Sequence, residues 1–514
     1  MNKENNPRFL QSPHVWTLTT YFAEGFPYTV IRIISSVFFR DMKVGLEGIG
    51  LTSLFGLPWV LKFLWGPQVD LYGTKRTWML STQSLLVCMI LAAAPLSYLP
   101  HGVTAIAILF FMGSFIAATH DIAIDGYYME ALDEKGQSRF VGYRVMAYRI
   151  AMMTGTGVVV SIGAATNWIL GFASAGALLG LLFLYHLTLL PRVEEYGEPY
   201  SDLLKKALKP KAALGVLMAV FLIIAIGWSF HSGWPQWATG KGSPLSGISL
   251  SGWIGIILLL GLCALAALKN RIKSILLRDQ GSFYSRAFVA YMDRPQIGIA
   301  LAFIILMRTG EAMLSSMVSP FIVDLGIKVH YGWISGGVGL PCSIVGAMLG
   351  GWAISRFSLK KTIWPFLLAQ NLTNIVYMLL ALQLTDYLAL NTGADSPTPI
   401  GSMNLFLIAA VHGFDQLAGG LGTSVLTTFL MRTCLPAFKA AHFAIGTGLM
   451  NISGVFSGVL SGFLAGWVGY GYFFGISFLA SIPGLCLIFF VPFLEPPPQQ
   501  VEPLPQCRPS GTTE

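Results

Sequence analysis

Nine charged residues lie inside long apolar runs: Glu24, Arg32, Lys62, Asp121, Asp125, Arg149, Arg308, Glu311 and Asp415. A charge in such surroundings is expensive, so each is by default a candidate for an ion or substrate path. Asp121 and Asp125, in THDIAID, are four apart and share one helix face. Burying two anions side by side is costly, which makes the pair, together with Glu24, the candidate proton-coupling site. The plainer alternative is that they cap the helix end and bind Arg144 or Arg139. Glu24 lies in YFAEGFP, where Gly25 and Pro27 loosen the helix and free backbone groups; its alternative is a structural pair with Arg32. Lys62 and Arg149 are the candidate contacts for an anionic ligand group, or else fixed partners for buried carboxylates. Arg308 and Glu311 are three apart, so a local pair and a ligand contact stay equally open. Asp415, in HGFDQLAGG, is the candidate of the second half. His120 and His412 read as packing residues.

The elements that position these charges follow from composition. Of 514 residues, 54% are apolar and only 11% charged, far from the roughly 25% charged of soluble domains. The chain is an all-α polytopic membrane protein. Fourteen apolar runs can be counted, each about 20 residues long. The run Gly56 to Arg76, GLPWVLKFLWGPQVDLYGTKR, recurs as Gly339 to Lys361, GLPCSIVGAMLGGWAISRFSLKK. Gly66, Asp70, Gly73, Lys75 and Arg76 align without gaps on Gly351, Ser355, Ser358, Lys360 and Lys361, at an offset of 351 − 66 = 285 residues. Two such copies suggest a duplicated membrane unit, the repeat plan of many transporters. The offset exceeds one six-helix half, so two helices, at 212–230 and 251–268, are expected as an insertion outside the core. The expected division is a six-helix bundle at 1–191, a cytoplasmic linker with the two extra helices at 192–295, a second six-helix bundle at 296–494 and a disordered tail at 495–514.

Of the 32 basic residues, 24 fall on the side of the N-terminus and only Arg40, Lys43, Lys241 and Lys328 on the opposite side. This bias predicts a cytoplasmic location for both termini. Lys269 to Arg294 mixes six basic residues with Leu, Phe and Tyr and reads as an interfacial helix against anionic membrane lipid. The six cysteines form no CxxC motif, and no P-loop, metal spacing or nucleophile and base motif occurs. Neither an enzyme, nor a cofactor, nor a metal site, nor nucleic-acid binding is indicated.

The loop at Gly66 to Arg76 resembles the signature loop of the major facilitator superfamily. YFAEGFP at 21–27, GLPWVLKFLWGPQVD at 56–70, THDIAIDGYYMEAL at 119–132, GYRVMAYRIAMMTG at 142–155 and GGLGTSVLTTFLM at 419–431 resemble motifs of AmpG-type muropeptide permeases. The resemblance covers about residues 15–493 and includes the two extra helices. It implies a major facilitator fold in a bacterial inner membrane, and proton symport of anhydromuropeptides (GlcNAc-anhydroMurNAc peptides) from periplasm to cytoplasm. This import serves peptidoglycan recycling and is tied to β-lactamase induction and antibiotic resistance. Alternatives are siderophore or acetyl-CoA transport within the family, and a non-transporting membrane receptor. Lys62, Arg149, Arg32, Glu311 and Asp415 would contact substrate, Tyr21, Trp59 and Trp65 would stack on sugars, and Asp121, Asp125 and Glu24 would couple protons. Gly66, Asp70, Gly73, Lys75 and Arg76 would form the cytoplasmic gate of a monomer. Ser355 and Ser358 depart from the superfamily pattern, so the second loop copy lacks one charge.

Overall fold

The computed structural model describes residues 9–62, 65–192, 198–199, 202, 250–268, 271, 274, 283–394, 396–435 and 439–495. The described residues are almost entirely helical, with one isolated bridge, Tyr72 to Glu198, in place of any sheet. Nine helical stretches among them are long and apolar enough to cross a membrane. The expected helix at 212–230 and the tail beyond Glu495 lie outside the described residues.

The first and second spans are broken helices. Pro13–Thr29 runs through a π-helical segment, Val30–Ile34, into Ser35–Asp41; the loosening expected at Gly25 and Pro27 thus falls just after the proline. The second is divided into Leu46–Leu51, a 3-10 turn Thr52–Gly56, Leu57–Leu61 and, after the loop, Gly66–Leu71. A 3-10 turn has poorer hydrogen bonds than an α-helix, and Arg32 supplies donors there. Its Nη1 bonds the carbonyls of Ser53 at 2.8 Å and Thr52 at 3.3 Å. Arg32 therefore does not pair with Glu24.

Both repeat loops turn through positive φ at the aligned position, Gly73 at 66° and Ser358 at 73°. The last long helix, Lys439–Leu487, is bent at Gly469, whose φ of 76° divides it into two spans. Helix Leu250–Ala267, the described part of the insertion, packs on Leu46–Leu51 and on Lys439–Leu487, so it lies across both halves.

The two halves meet most tightly at the end carrying Arg40 and Asp324. Arg40 Nε and Nη2 donate to Asp324 Oδ1 and Oδ2 at 2.6 and 2.5 Å, and Tyr470 Oη donates to the same carboxylate at 2.6 Å. In the reverse sense, Lys328 Nζ donates to Asp41 at 2.6 Å, where Trp168 Nε1 also donates at 2.7 Å. Glycines let the backbones touch: a Cβ on Gly50 would lie 2.8 Å from Gly462 Cα, and one on Gly336 would lie 2.8 Å from Gly157 Cα. Lipid tails are as apolar as leucine, so such close packing, rather than water exclusion, holds membrane helices together. The largest apolar cluster sits here and draws Phe38, Phe110 and Phe172 from one half and Phe321, Tyr377 and Phe474 from the other.

Candidate functional site

A cavity of about 660 Å³ lies between the halves. The first half lines it with Tyr28, Arg32, Trp59, Lys62, Asp121, Tyr148 and Arg149, and the second with Arg308, Glu311, Tyr331, His412, Asp415, Gln416 and Asn451. Seven of these are charged residues singled out by their position in apolar runs, and Trp59, packed edge-on to Tyr28 at 5.1 Å, is the expected sugar platform that does face it.

Behind the first-half wall the charges interlock. Lys62 Nζ forms an ion pair with Asp121 Oδ2. Asp125 Oδ1 accepts from Arg144 Nη2 at 2.7 Å and from Tyr21 Oη at 2.8 Å. The Arg144 guanidinium lies over the Tyr21 ring at 4.5 Å and the Tyr128 ring at 5.5 Å, a stacking that Arg makes readily. Glu24 lies within hydrogen-bonding range of Asp121, while its Oε2 is buried without a hydrogen-bond partner. Asp121 and Asp125 thus share a helix face, but each sits on its own cation. Three carboxylates stand against two cations, which leaves one negative charge over.

Several expectations change in consequence. Lys62, expected to meet a ligand anion, is already held by Asp121, because the two face each other across adjacent helices. Tyr21 and Trp65 do not line the cavity. Tyr21 is buried beneath Arg144, and Trp65 Nε1 donates to Thr119 Oγ1 at 3.0 Å while its ring packs 5.8 Å from Phe115. Arg144, named with Arg139 as the plainer partner of the Asp121 and Asp125 pair, is taken by Asp125. The signal for it was present in GYRVMAYR, where Arg144 stands five residues before Arg149 on the same helix.

The second half is built differently. Arg308 Nη2 pairs with Glu311 Oε2 at 2.7 Å within one helix. Asp415 accepts from Thr373 Oγ1 at 2.8 Å and Gln416 Nε2 at 3.2 Å, both neutral donors. His412 and His120 are buried on hydroxyl partners, Tyr377 at 2.9 Å and Thr82 at 3.0 Å, as expected of packing residues.

The loop residues bond within the first half and to the start of the linker that follows it. Lys75 Nζ donates to the Val69 carbonyl at 2.9 Å and lies 3.9 Å from Glu130. Its stem passes Gly126, where a Cβ would meet it at 2.8 Å. Arg76 Nη2 donates to the Leu187 carbonyl at 2.8 Å, satisfying the carboxyl end of helix Trp168–Leu189. Gly73 N donates to the Glu198 carbonyl at 2.7 Å, and Gly66 opens helix Gly66–Leu71. The Asp70 side chain lies outside the described residues.

Residues 17–279 match the family model described as the Major Facilitator Superfamily. The chain is 24% identical over 476 residues to an anhydromuropeptide permease of Escherichia coli (strain K12), spanning 91% of this chain and 77% of that protein. It is 21% identical over 479 residues to a putative transporter, AmpG 4, of Rickettsia conorii, spanning 91% and 93%. Among solved structures, a peptide transporter, POT, in complex with sulfate superimposes with a TM-score of 0.63 at 14% identity over 94% of each chain. With the family model matching half of its length and its helices arranged as in a solved transporter, this multi-pass membrane protein belongs to the major facilitator superfamily.

Proposed function

We propose that this transporter imports anhydromuropeptides across the bacterial inner membrane, driven by protons, for peptidoglycan recycling and the linked induction of β-lactamase. The observation that carries the substrate class is similarity to the anhydromuropeptide permease along 91% of the chain. The cavity supports it. Its volume, about 660 Å³, lies within the roughly 300–1,000 Å³ of small-molecule sites, and it offers Trp59 and Tyr28 to sugar rings and Arg149, unpaired among the described residues, to carboxylates.

Proton coupling rests on the charge count. Two carboxyl groups in contact share a hydrogen bond only when one is protonated, and Glu24 faces Asp121 while Lys62 and Arg144 are already matched by Asp121 and Asp125. One proton brings the cluster to neutrality, and a neutral cluster is the form a low-dielectric wall tolerates. With both termini in the cytoplasm, the Arg40 to Asp324 end faces the periplasm. The described state is then closed outward, and rocking of the halves around the cavity would open that end. The loop bearing Gly66, Asp70, Gly73, Lys75 and Arg76 would hold the cytoplasmic side in the opposite state.

Uptake of labelled anhydromuropeptide by membrane vesicles, with nucleotide, siderophore and drug competitors, tests the reading. Gradient-dependent accumulation blocked only by muropeptides is expected. Binding without accumulation would indicate a receptor, and competition by a siderophore or acetyl-CoA would move the protein to another branch.

A further inference from the structure

Among the described residues, the cavity wall carries charge that is left unmatched, with opposite sign at two places. Arg149 has no hydrogen bond or ion pair with any described residue, and another cation, Arg308, lies close enough to act on it as a like charge. Arg308 is held by Glu311 at 2.7 Å. Glu311 in turn lies close enough to Asp415 to act on it as a like charge, and among the described residues Asp415 is met by the neutral donors Thr373 and Gln416 alone. All four residues line the same cavity. As neighbours they run Arg149, Arg308, Glu311, Asp415, so the local Arg308 to Glu311 pair is extended by a like charge at each end. The wall therefore has a positive pole at Arg149 and a negative pole at Asp415. Arg32, whose donors go to carbonyls, adds to the cationic side of the cavity.

Unpaired charges facing a membrane cavity are costly to maintain, and a ligand that matches both poles removes that cost in one binding event. We infer that the cavity selects amphoteric ligands, with a carboxylate docked at Arg149 and a primary ammonium docked at Asp415. This rests on the muropeptide reading and sharpens it. A peptide attached through its amino end to a sugar acid keeps no terminal ammonium, so the positive group has to come from a diamino acid in the peptide. Muropeptides whose peptide includes such a residue would bind in preference to those without it.

The test uses the full-length purified protein and an anhydromuropeptide whose peptide bears a diamino acid. Two derivatives accompany it, one acetylated at the amine and one amidated at the carboxylates, together with the same three forms of the sugar-free peptide, its amino terminus capped by acetylation in all three. Calorimetric affinities are measured for wild type, Arg149→Gln and Asp415→Asn. In wild type each blocked derivative is expected to bind at least tenfold more weakly than its parent. Asp415→Asn should erase the penalty for acetylation and keep the penalty for amidation, and Arg149→Gln should do the converse. Equal affinity of parent and acetylated forms for wild type, which requires no variant to fold, overturns the negative pole; penalties unchanged in the variants overturn the assignment to these residues. Gradient-driven muropeptide uptake without either penalty removes this inference and leaves the proposed function standing. Both penalties on the sugar-free peptide, with no muropeptide uptake, leave the poles standing and remove the proposed function. Binding of none of the six compounds removes both.

Discussion

The two halves share a repeated helix and loop but use the same place in the fold for opposite purposes. In the first half, helix Leu57–Leu61 ends on Lys62 and places it against Asp121 of helix Gly102–Ala131, and a network of five charged groups grows from that contact. In the second, the repeated helix Leu340–Phe357 has no charged residue before Arg356. It presses on helix Ser402–Thr433 instead: a Cβ on Gly346 would lie 2.0 Å from the Leu417 carbonyl oxygen, and Ser424 Oγ donates to the Ala347 carbonyl at 2.7 Å. One helix pair is held by charge and the other by proximity. The proposed proton coupling rests on a carboxylate in excess over its cations, so it is assigned to the first pair, while the second carries Asp415 on neutral donors.

The largest effect should come from removing the surplus carboxylate. Glu24→Gln keeps a donor toward Asp121, imitating a permanently protonated acid, and leaves both ion pairs intact. Exchange of labelled for unlabelled substrate should continue at near the wild-type rate, while accumulation under an inward proton gradient should fall to the level of no gradient. Asp125→Asn is the less clean probe, because it strips Arg144 of its carboxylate. Wild-type accumulation by Glu24→Gln would place the coupling elsewhere and erase the functional contrast between the halves.

Next comes the ion pair itself. Removing one partner of a fully buried pair costs about 3–5 kcal/mol, but a third of the Lys62 side chain is open to the cavity, so Lys62→Gln should destabilise by about 2–3 kcal/mol after allowance for screening. The double variant Lys62→Met with Asp121→Asn removes the orphaned charge and should recover most of that loss without recovering gradient-driven accumulation. Thermal midpoints and vesicle uptake read the two effects separately. Recovery of both would make the pair structural only.

The contrasting contact should fail by volume. At Gly346 even one methyl group meets backbone, which cannot move aside as a side chain can, so Gly346→Ala should cost about 1–3 kcal/mol. Gly351→Ala, five residues on, has nothing within 4 Å of its Cβ and should change stability by less than about 0.5 kcal/mol. Equal midpoints for the two would mean that the second helix pair is not held by close approach.

The charges were legible in the chain because the bilayer makes each one conspicuous: every charged residue on the cavity wall stands inside an apolar run. The repeat was legible too, and with it the alignment of Gly73 on Ser358. Partner choice was not. Whether Lys62 meets Asp121 or a ligand depends on which helix faces share a contact, and residues 59 apart carry no local sign of it. Arg40 and Asp324, 284 residues apart, could not be matched before the halves were docked, whereas Arg144 was one of the two partners the sequence offered to the Asp121 and Asp125 pair, and Asp125 takes it.

The smallest test returns to the repeat. Gly73 and Ser358 occupy aligned turns with nearly the same φ, 66° and 73°, but only one of them is the residue such a turn suits. Ser358 has ψ of 155°, a region essentially reserved for glycine, where other residues carry strain of order 1–3 kcal/mol. Its side chain is exposed and makes no capping hydrogen bond to helix Leu359–Gln383, so nothing is lost when it is removed. Glycine gives back about 0.5–1 kcal/mol through the greater freedom of the unfolded chain. Ser358→Gly should therefore stabilise by about 1 kcal/mol, and Gly73→Ser should destabilise by a similar amount, each read as a small, opposite displacement of the thermal midpoint. The double exchange should come out close to wild type, because the turns lie in different halves and share no partner. A destabilising Ser358→Gly would mean that the hydroxyl has a role in the second loop, and that the two copies differ there in function as well as in strain.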